Sequence, residues 1–82
     1  MNSGRRIVVD TGILVSAAIR PGSVPALALE KAFLHFEVCA STETVAELEK
    51  VLLRPKFDPY ASSSARQAFI DGIRDHVLMI RV

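Results

Sequence analysis

The stretch RIVVDTGILVSAAIRPGS, residues 6–23, governs the expected fold. It opens with a short β-branched run at 7–9, which is typical of a strand buried on both faces of a parallel sheet. Asp10 ends that run, and the apolar, Ala-rich segment at 13–19 favours a short helix. Pro21-Gly22 then predicts a turn. The stretch therefore predicts a strand, an acid, a helix and a turn, in that order.

Two later segments repeat the strand signal. Short apolar runs predict further strands at 36–40 and 78–82. Two helices are predicted between each pair of strands, so that the order is β-α-α-β-α-α-β. Strands that alternate with helices predict an α/β fold with a parallel sheet and right-handed crossovers.

Polar residues mark the predicted helix starts. Ser23 is the expected N-cap of a helix over 24–35, and Ser41 or Thr42 caps the next helix. A capping box that begins at Ser64 predicts the last helix. The residues expected to face the core from these helices are Leu29, Phe33, Phe36, Val45, Leu48, Leu52, Phe69, Ile73 and Val77.

Length and composition exclude several classes of protein. The 82 residues form one domain at most, and an apolar fraction of 50% excludes a disordered tail. Ten basic and nine acidic side chains give no polyelectrolyte argument for nucleic acid. Cys39 is the only cysteine, which excludes an intramolecular disulfide and fits a cytoplasmic protein. No stretch approaches the ~18 uncharged apolar residues of a membrane span, so no membrane partner is expected.

Two acids are the strongest candidates for chemistry. Asp10 ends a predicted buried strand, at the sheet edge where α/β proteins bind ligands. Glu47 lies in the helix that follows the second strand, so both carboxylates can approach one point and bind Mg²⁺ or Mn²⁺. Structural alternatives stay open for both. Asp10 is also a favoured N-cap, and Glu47 also fits a solvated helix face with Glu43, Lys50 and Arg54.

The remaining candidates point to structure rather than chemistry. Asp71 and Asp75 are four residues apart on the last predicted helix, which is typical of a solvated face. His35 and His76 each stand at a helix end, where a cation is favourable. Two histidines without a spaced partner do not make a zinc site.

Four segments together resemble a known family. They are RIVVDTGILVSA at 6–17, RPGS at 20–23, AELEKVL at 46–52 and RPKF at 54–57. The first resembles the opening of PIN domains, and the set is similar to the toxin branch of toxin–antitoxin ribonucleases. The resemblance covers nearly the whole chain.

This resemblance implies a fold, an activity and partners. It implies a three-layer α/β/α nuclease with a parallel sheet, which cleaves RNA with Mg²⁺ or Mn²⁺ held by three or four carboxylates. Asp10 matches the family's first acid and Glu47 its second, so both are expected to be catalytic and to bind the metal. An antitoxin protein is the further partner that the resemblance implies.

The sequence departs from the family at two places. Gly12 stands where the family usually has Asn or Ser, beside the first acid. The family's other acids lie beyond the third strand, where this sequence stops. We therefore expect residues 1–82 to form the N-terminal part of a PIN domain, truncated after the third strand and inactive or incomplete as a ribonuclease. We also expect a homo-oligomer, because the strand at 7–9 would be an exposed sheet edge.

Two other readings stay open. One is a PIN-like remnant without catalysis that acts through self-association or antitoxin binding. The other rests on VVDTG at 8–12, which matches the aspartic-protease signature and would build a dyad from two copies of Asp10. Those proteases are almost all β, whereas this sequence predicts at least three amphipathic helices, and Ile13 stands where they usually have Ala or Ser.

Overall fold

A computed structural model describes residues 5–80 of the chain. This part contains three strands and four helices joined by short connections. In chain order they are β1 (Arg6–Val8), α1 (Thr11–Ile19), α2 (Val24–His35), β2 (Glu37–Ser41), α3 (Thr42–Leu52), α4 (Ser63–His76) and β3 (Leu78–Ile80), with a 3-10 turn at Pro55–Phe57 before α4. Four α-helices in residues 5–80 exclude the aspartic-protease alternative, because those proteases are almost all β.

The sheet is parallel and has the strand order β1-β2-β3. Val8 of β1 is opposite Cys39 of β2, and Cys39 is opposite Leu78 of β3. Each strand reaches the next through a pair of helices, as parallel neighbours require. The predicted α/β class and parallel sheet are confirmed.

The four helices form one layer against the sheet. Right-handed crossovers that step in one direction along a sheet leave their helices on the same face. In agreement, α1 contacts α2, α3 and α4. The core lies between this layer and the sheet, where Leu14, Leu48, Leu52 and Ile70 are fully buried against Val38 and Ala40 of β2. Residues 5–80 thus supply two of the three layers of an α/β/α fold.

Strand β1 is more exposed than its apolar sequence predicts. Ile7 is 36% exposed and Val8 67%, and only Val9, just after the strand, is buried at 7%. The prediction of burial on both faces is therefore wrong for this strand. Within residues 5–80 β1 pairs with β2 alone, so its outer edge is unpaired, and Val8 is exposed.

Element boundaries differ slightly from the predicted ones. The strands expected at 7–9 and 36–40 each lie one residue away, at Arg6–Val8 and Glu37–Ser41. The second shift arises because Phe36 is the C-cap of α2 and donates its N–H to the carbonyl of Ala32. The third strand is Leu78–Ile80, and predicted positions 81–82 lie outside the described residues.

The predicted capping box at the start of α4 is wrong. Ser62, not Ser64, is the N-cap, and its Oγ accepts a hydrogen bond from the N–H of Ala65 at 3.1 Å. Gln67 does not reach back to the cap. Its amide donates instead to Asp71 Oδ1 at 3.0 Å, one turn further along the helix. Adjacent serines at 62–64 offer equivalent cap chemistry, so sequence could not separate them.

Arg66 of α4 is buried, with 1% of its surface exposed. Its guanidinium donates to the carbonyls of Leu52, Arg54 and Ala61, and it forms an ion pair with the Asp58 carboxylate. A buried charge is tolerated when it is paired and hydrogen-bonded in this way. Arg66 therefore fixes the connection between α3 and α4.

The α1–α2 connection is a tight turn. Gly22 has a φ of 80°, a left-handed conformation that glycine adopts at little cost. The two helices are bent by 113° across this turn. Among residues 5–80 no single helix is long and apolar enough to cross a membrane, and α1 and α2 reach that length and composition only as this bent pair.

Candidate functional site

Asp10 lies immediately after β1 and begins α1. Its backbone is extended, and its Oδ1 accepts a hydrogen bond from the N–H of Ile13 at 2.9 Å, which makes it the N-cap of α1. The side chain is exposed. A cap uses one lone pair of a carboxylate that offers about four acceptor sites. Capping and metal binding are therefore compatible at this residue.

Glu47 lies in the second turn of α3 and is exposed. This helix follows β2 directly and is capped by Ser41, whose Oγ accepts from the N–H of Thr44 at 3.1 Å. No hydrogen bond or ion pair joins the Glu47 carboxylate to another residue of the described range 5–80. Since β1 and β2 are parallel neighbours, the starts of α1 and α3 lie at the same edge of the sheet.

The direction of Glu47 follows from its neighbours on α3. Glu49 points towards α4, because its carboxylate pairs with Arg74 there at 3.0 Å. Successive residues of an α-helix are rotated by about 100°. Glu47 therefore lies on the side of α3 away from α4, and α1 packs against α3 as well. A cation shared between Glu47 and Asp10 stays a prediction.

Gly12 leaves room beside the Asp10 carboxylate. A Cβ at this position would lie 3.5 Å from Asp10 Oδ1, which is ordinary van der Waals contact. A Cβ would therefore fit here without displacing the acid. A lack of space therefore does not require glycine here. Gly12 differs from the family pattern only because it lacks the polar side chain that usually stands beside the first acid.

The donor chemistry of Asp10 and Glu47 fits a hard divalent cation. Mg²⁺ prefers oxygen ligands and is often bound by one or two carboxylates together with water and substrate phosphate. Within residues 5–80 no group of three or more His, Cys, Asp or Glu side chains is arranged to hold a metal. The two acids would thus leave several coordination positions to water, phosphate or groups from elsewhere.

The other titratable candidates have structural surroundings. Asp71 accepts the Gln67 hydrogen bond on α4, and Asp75 is exposed on the same helix. His76 places Nδ1 2.8 Å from the carbonyl of Gly72, and its ring packs edge-on against Phe33 at 6.4 Å. The helix-end position predicted for His76 is confirmed.

An ion pair that is not evident from the sequence joins α3 to α4. The Arg74 guanidinium donates to both oxygens of Glu49, at 3.0 and 3.2 Å. These hydrogen bonds, and then the attraction of the positive charge, hold the pKa of the Glu49 carboxyl below its ordinary value. The two residues are 25 positions apart, so only the packing of the helices reveals the pair.

An apolar groove of 570 Å³ runs between α2 and α4, with α1 as its floor. Leu29, Phe33, Phe69 and Ile73 contribute to its walls. Neither Asp10 nor Glu47 lines it, so this groove is separate from the candidate metal site.

Comparison with known proteins identifies the family. The family model of the PIN domain matches residues 6–77, from the start of β1 to the residue before β3. No curated protein and no solved structure matches the chain significantly. The matched range covers most of the 82 residues and includes both candidate acids. Members of the PIN domain family are generally nucleases that use divalent metals. The sequence match and the parallel α/β architecture of the chain together establish that it belongs to this family.

Proposed function

We propose that this chain is a toxin-like, metal-dependent ribonuclease of the PIN type, in which Asp10 and Glu47 bind Mg²⁺ or Mn²⁺. One observation carries the proposal. In a chain of a nuclease family, the two acids follow the carboxyl ends of neighbouring parallel strands. That edge is where open α/β sheets bind their ligands.

The two acids would have different tasks. Asp10 is held in place by its hydrogen bond to the N–H of Ile13, so its second oxygen is oriented before any ligand binds. Glu47 stands on a rigid helix and has no competing ion pair within residues 5–80. A bound divalent cation would activate a water and stabilise negative charge on the attacked phosphate.

We further propose that another segment or chain completes the site. No third acid joins Asp10 and Glu47 within residues 5–80, and Asp71 and Asp75 lie on α4, on the opposite side of α3 from Glu47. Two carboxylates hold a cation less tightly than three or four. The 82-residue chain by itself should therefore be nearly inactive on RNA.

A cleavage assay on labelled single-stranded RNA with Mn²⁺ tests this proposal. We expect little cleavage by the purified chain, and no difference between the wild type and Asp10→Asn. Robust Mn²⁺-dependent cleavage that Asp10→Asn abolishes would show instead that the described acids suffice. Cleavage that persists in EDTA would contradict the metal-dependent mechanism itself.

A second candidate function is association without catalysis, with a second copy of the chain or with an antitoxin protein. The exposed strand β1 favours it, because Val8 is 67% exposed on a sheet edge. Unpaired strand edges readily add another strand. The oligomeric state tests this association, and Mn²⁺ binding by Asp10 and Glu47 separates the alternative from the metal-dependent proposal.

A further inference from the structure

A basic and aromatic surface lies between α3 and α4. Arg54 and Lys56 are exposed there, Phe57 is half-buried, and Tyr60 is 55% exposed. We call these four residues the loop patch. Large exposed aromatic side chains are uncommon on a chain with an aromatic fraction of only 6%, so this cluster calls for an explanation.

Consecutive tight turns align the loop patch. The N–H of Phe57 donates to the carbonyl of Arg54 at 3.1 Å, and the N–H of Tyr60 donates to that of Phe57 at 2.9 Å. Side chains three residues apart in such turns lie on one face. The rings of Phe57 and Tyr60 are in contact, with centroids 6.3 Å apart, and Lys56 Nζ lies 5.1 Å from the Phe57 centroid.

Arg66 makes this surface rigid and leaves it positively charged. Its bonds to the carbonyls of Arg54 and Ala61 fix both ends of the loop. It also pairs with Asp58, which is the one acid between α3 and α4. No carboxylate of residues 5–80 forms an ion pair with Arg54 or Lys56, so both charges face solvent.

The exposed side of α3 that carries Glu47 also carries Lys50. Lys50 follows Glu47 by three residues on that side, about 4.5 Å further along the axis. No ion pair within residues 5–80 engages Lys50. Lys50 is therefore a further cation without an ion pair, between Glu47 and the loop patch in the chain.

We propose that the loop patch binds single-stranded RNA, with a base stacked on Tyr60 and phosphates contacting Arg54 and Lys56. Flat aromatic side chains beside cations are the usual means of holding unpaired nucleotides without sequence preference. The choice of RNA as ligand rests on the proposed function, whereas the binding itself needs no metal. Bases in a duplex are paired and stacked, so they cannot stack on Tyr60.

The protein contains its own reporter for this contact. Tyr60 is the only tyrosine, and the sequence has no tryptophan. A base that stacks on Tyr60 should quench the intrinsic fluorescence of the protein. We expect an oligouridylate of about ten nucleotides, within the usual site size of such surfaces, to quench it in EDTA at low salt, and a hairpin duplex to leave it unchanged.

Variants assign the binding to named side chains, with anisotropy of a labelled oligouridylate as the readout. Tyr60→Ala should weaken binding roughly five- to tenfold, and Tyr60→Phe should retain it. Arg54→Ala and Lys56→Ala should each reduce the slope of log affinity against log salt by about 0.7. Leu34→Ala and Lys31→Ala, exposed on α2, are the matched controls and should bind like the wild type. Circular dichroism verifies that each variant is folded.

Several outcomes would overturn the proposal. Equal affinity of Tyr60→Ala, Lys56→Ala and the wild type would exclude the loop patch as the site. Binding of the hairpin duplex as tightly as the oligouridylate would overturn the stacking of an unpaired base on Tyr60. Weaker self-association of Tyr60→Ala, without any RNA binding, would make the patch a protein interface. RNA binding by a wild-type protein that binds no Mn²⁺ would instead contradict only the nuclease proposal.

Discussion

At the scale of single residues, Asp10 combines a structural and a chemical role. Its carboxylate caps α1 through the N–H of Ile13, and we propose that the same group binds the metal. Asn is as good an N-cap as Asp but carries no charge. Ala neither caps a helix nor carries a charge. Substitutions at this one position can therefore separate the two roles.

We predict that Asp10→Ala lowers the free energy of unfolding by about 1 kcal/mol, the usual cost of losing an N-cap. Asp10→Asn should stay within a few tenths of a kcal/mol of the wild type, because its amide oxygen accepts the same hydrogen bond. Urea denaturation at neutral pH measures both. An equal loss in the two variants would mean that the charge of Asp10, and not its hydrogen bond to Ile13, carries the stability.

Single residues also mark how far sequence reasoning reaches. Asp10 and Glu47 could be identified because an acid after a β-branched run, and the family resemblance, are local features of the sequence. Arg66 could not, because an arginine in an amphipathic helix usually faces water. Its burial depends on carbonyls up to 14 residues away that converge on it only in the folded chain.

At the scale of helices and strands, α3 and α4 are joined by the Glu49–Arg74 pair. The hydrogen bonds and charge of Arg74 lower the pKa of Glu49 in the folded protein below that in the unfolded chain. The pair therefore stabilises the fold above the ordinary glutamate pKa. That contribution is lost as the pH falls through the lowered pKa of the folded state.

We predict that Glu49→Gln causes a small loss of thermal stability at pH 7. The difference from the wild type should shrink as the pH falls through the lowered pKa of the Glu49 carboxyl and disappear once that carboxyl is protonated. It should also shrink in high salt, since both side chains are partly exposed. Glu30→Gln, exposed on α2, is the control and should not depend on pH in this way. A constant difference between pH 3 and pH 7 would rule out the ion pair as the cause.

Most elements were predictable, whereas their exact ends and exposure were not. The helix at Val24–His35 was predicted with its bounds and its Ser23 cap, because serine, proline and apolar spacing agree there. The strands shifted by one residue, since a strand end depends on which neighbour pairs with it. The exposure of Val8 depends on sheet order, which the sequence of β1 does not encode.

At the scale of the whole molecule, part of the exposed apolar surface lies on the sheet. Val8 and Leu78, 67% and 37% exposed, flank buried Cys39 on adjacent strands. The outer edge of β1 and the exposed side chains of Val8 and Leu78 thus leave apolar surface on either side of buried Cys39. Such surfaces usually mark an interface.

We predict that the chain self-associates at low micromolar concentration through the edge of β1. Val8→Lys should shift it towards monomer, because a charge on an edge strand opposes pairing. Ala68→Lys, exposed on α4, adds the same charge away from the sheet and should not change the oligomeric state. Light scattering measures the mass. A 9.0 kDa monomer with a cooperative melt would contradict this prediction.

If Asp10 and Glu47 bind one divalent cation, a Mn²⁺ titration of the protein followed by electron paramagnetic resonance will detect the binding. We expect Asp10→Asn and Glu47→Gln each to weaken Mn²⁺ binding at least about tenfold, since even outer partners of a metal ligand contribute that much. Glu43→Gln removes an exposed acid from the previous turn of α3 and should bind Mn²⁺ like the wild type. Wild-type affinity in Glu47→Gln, or an equal loss in Glu43→Gln, would contradict the site.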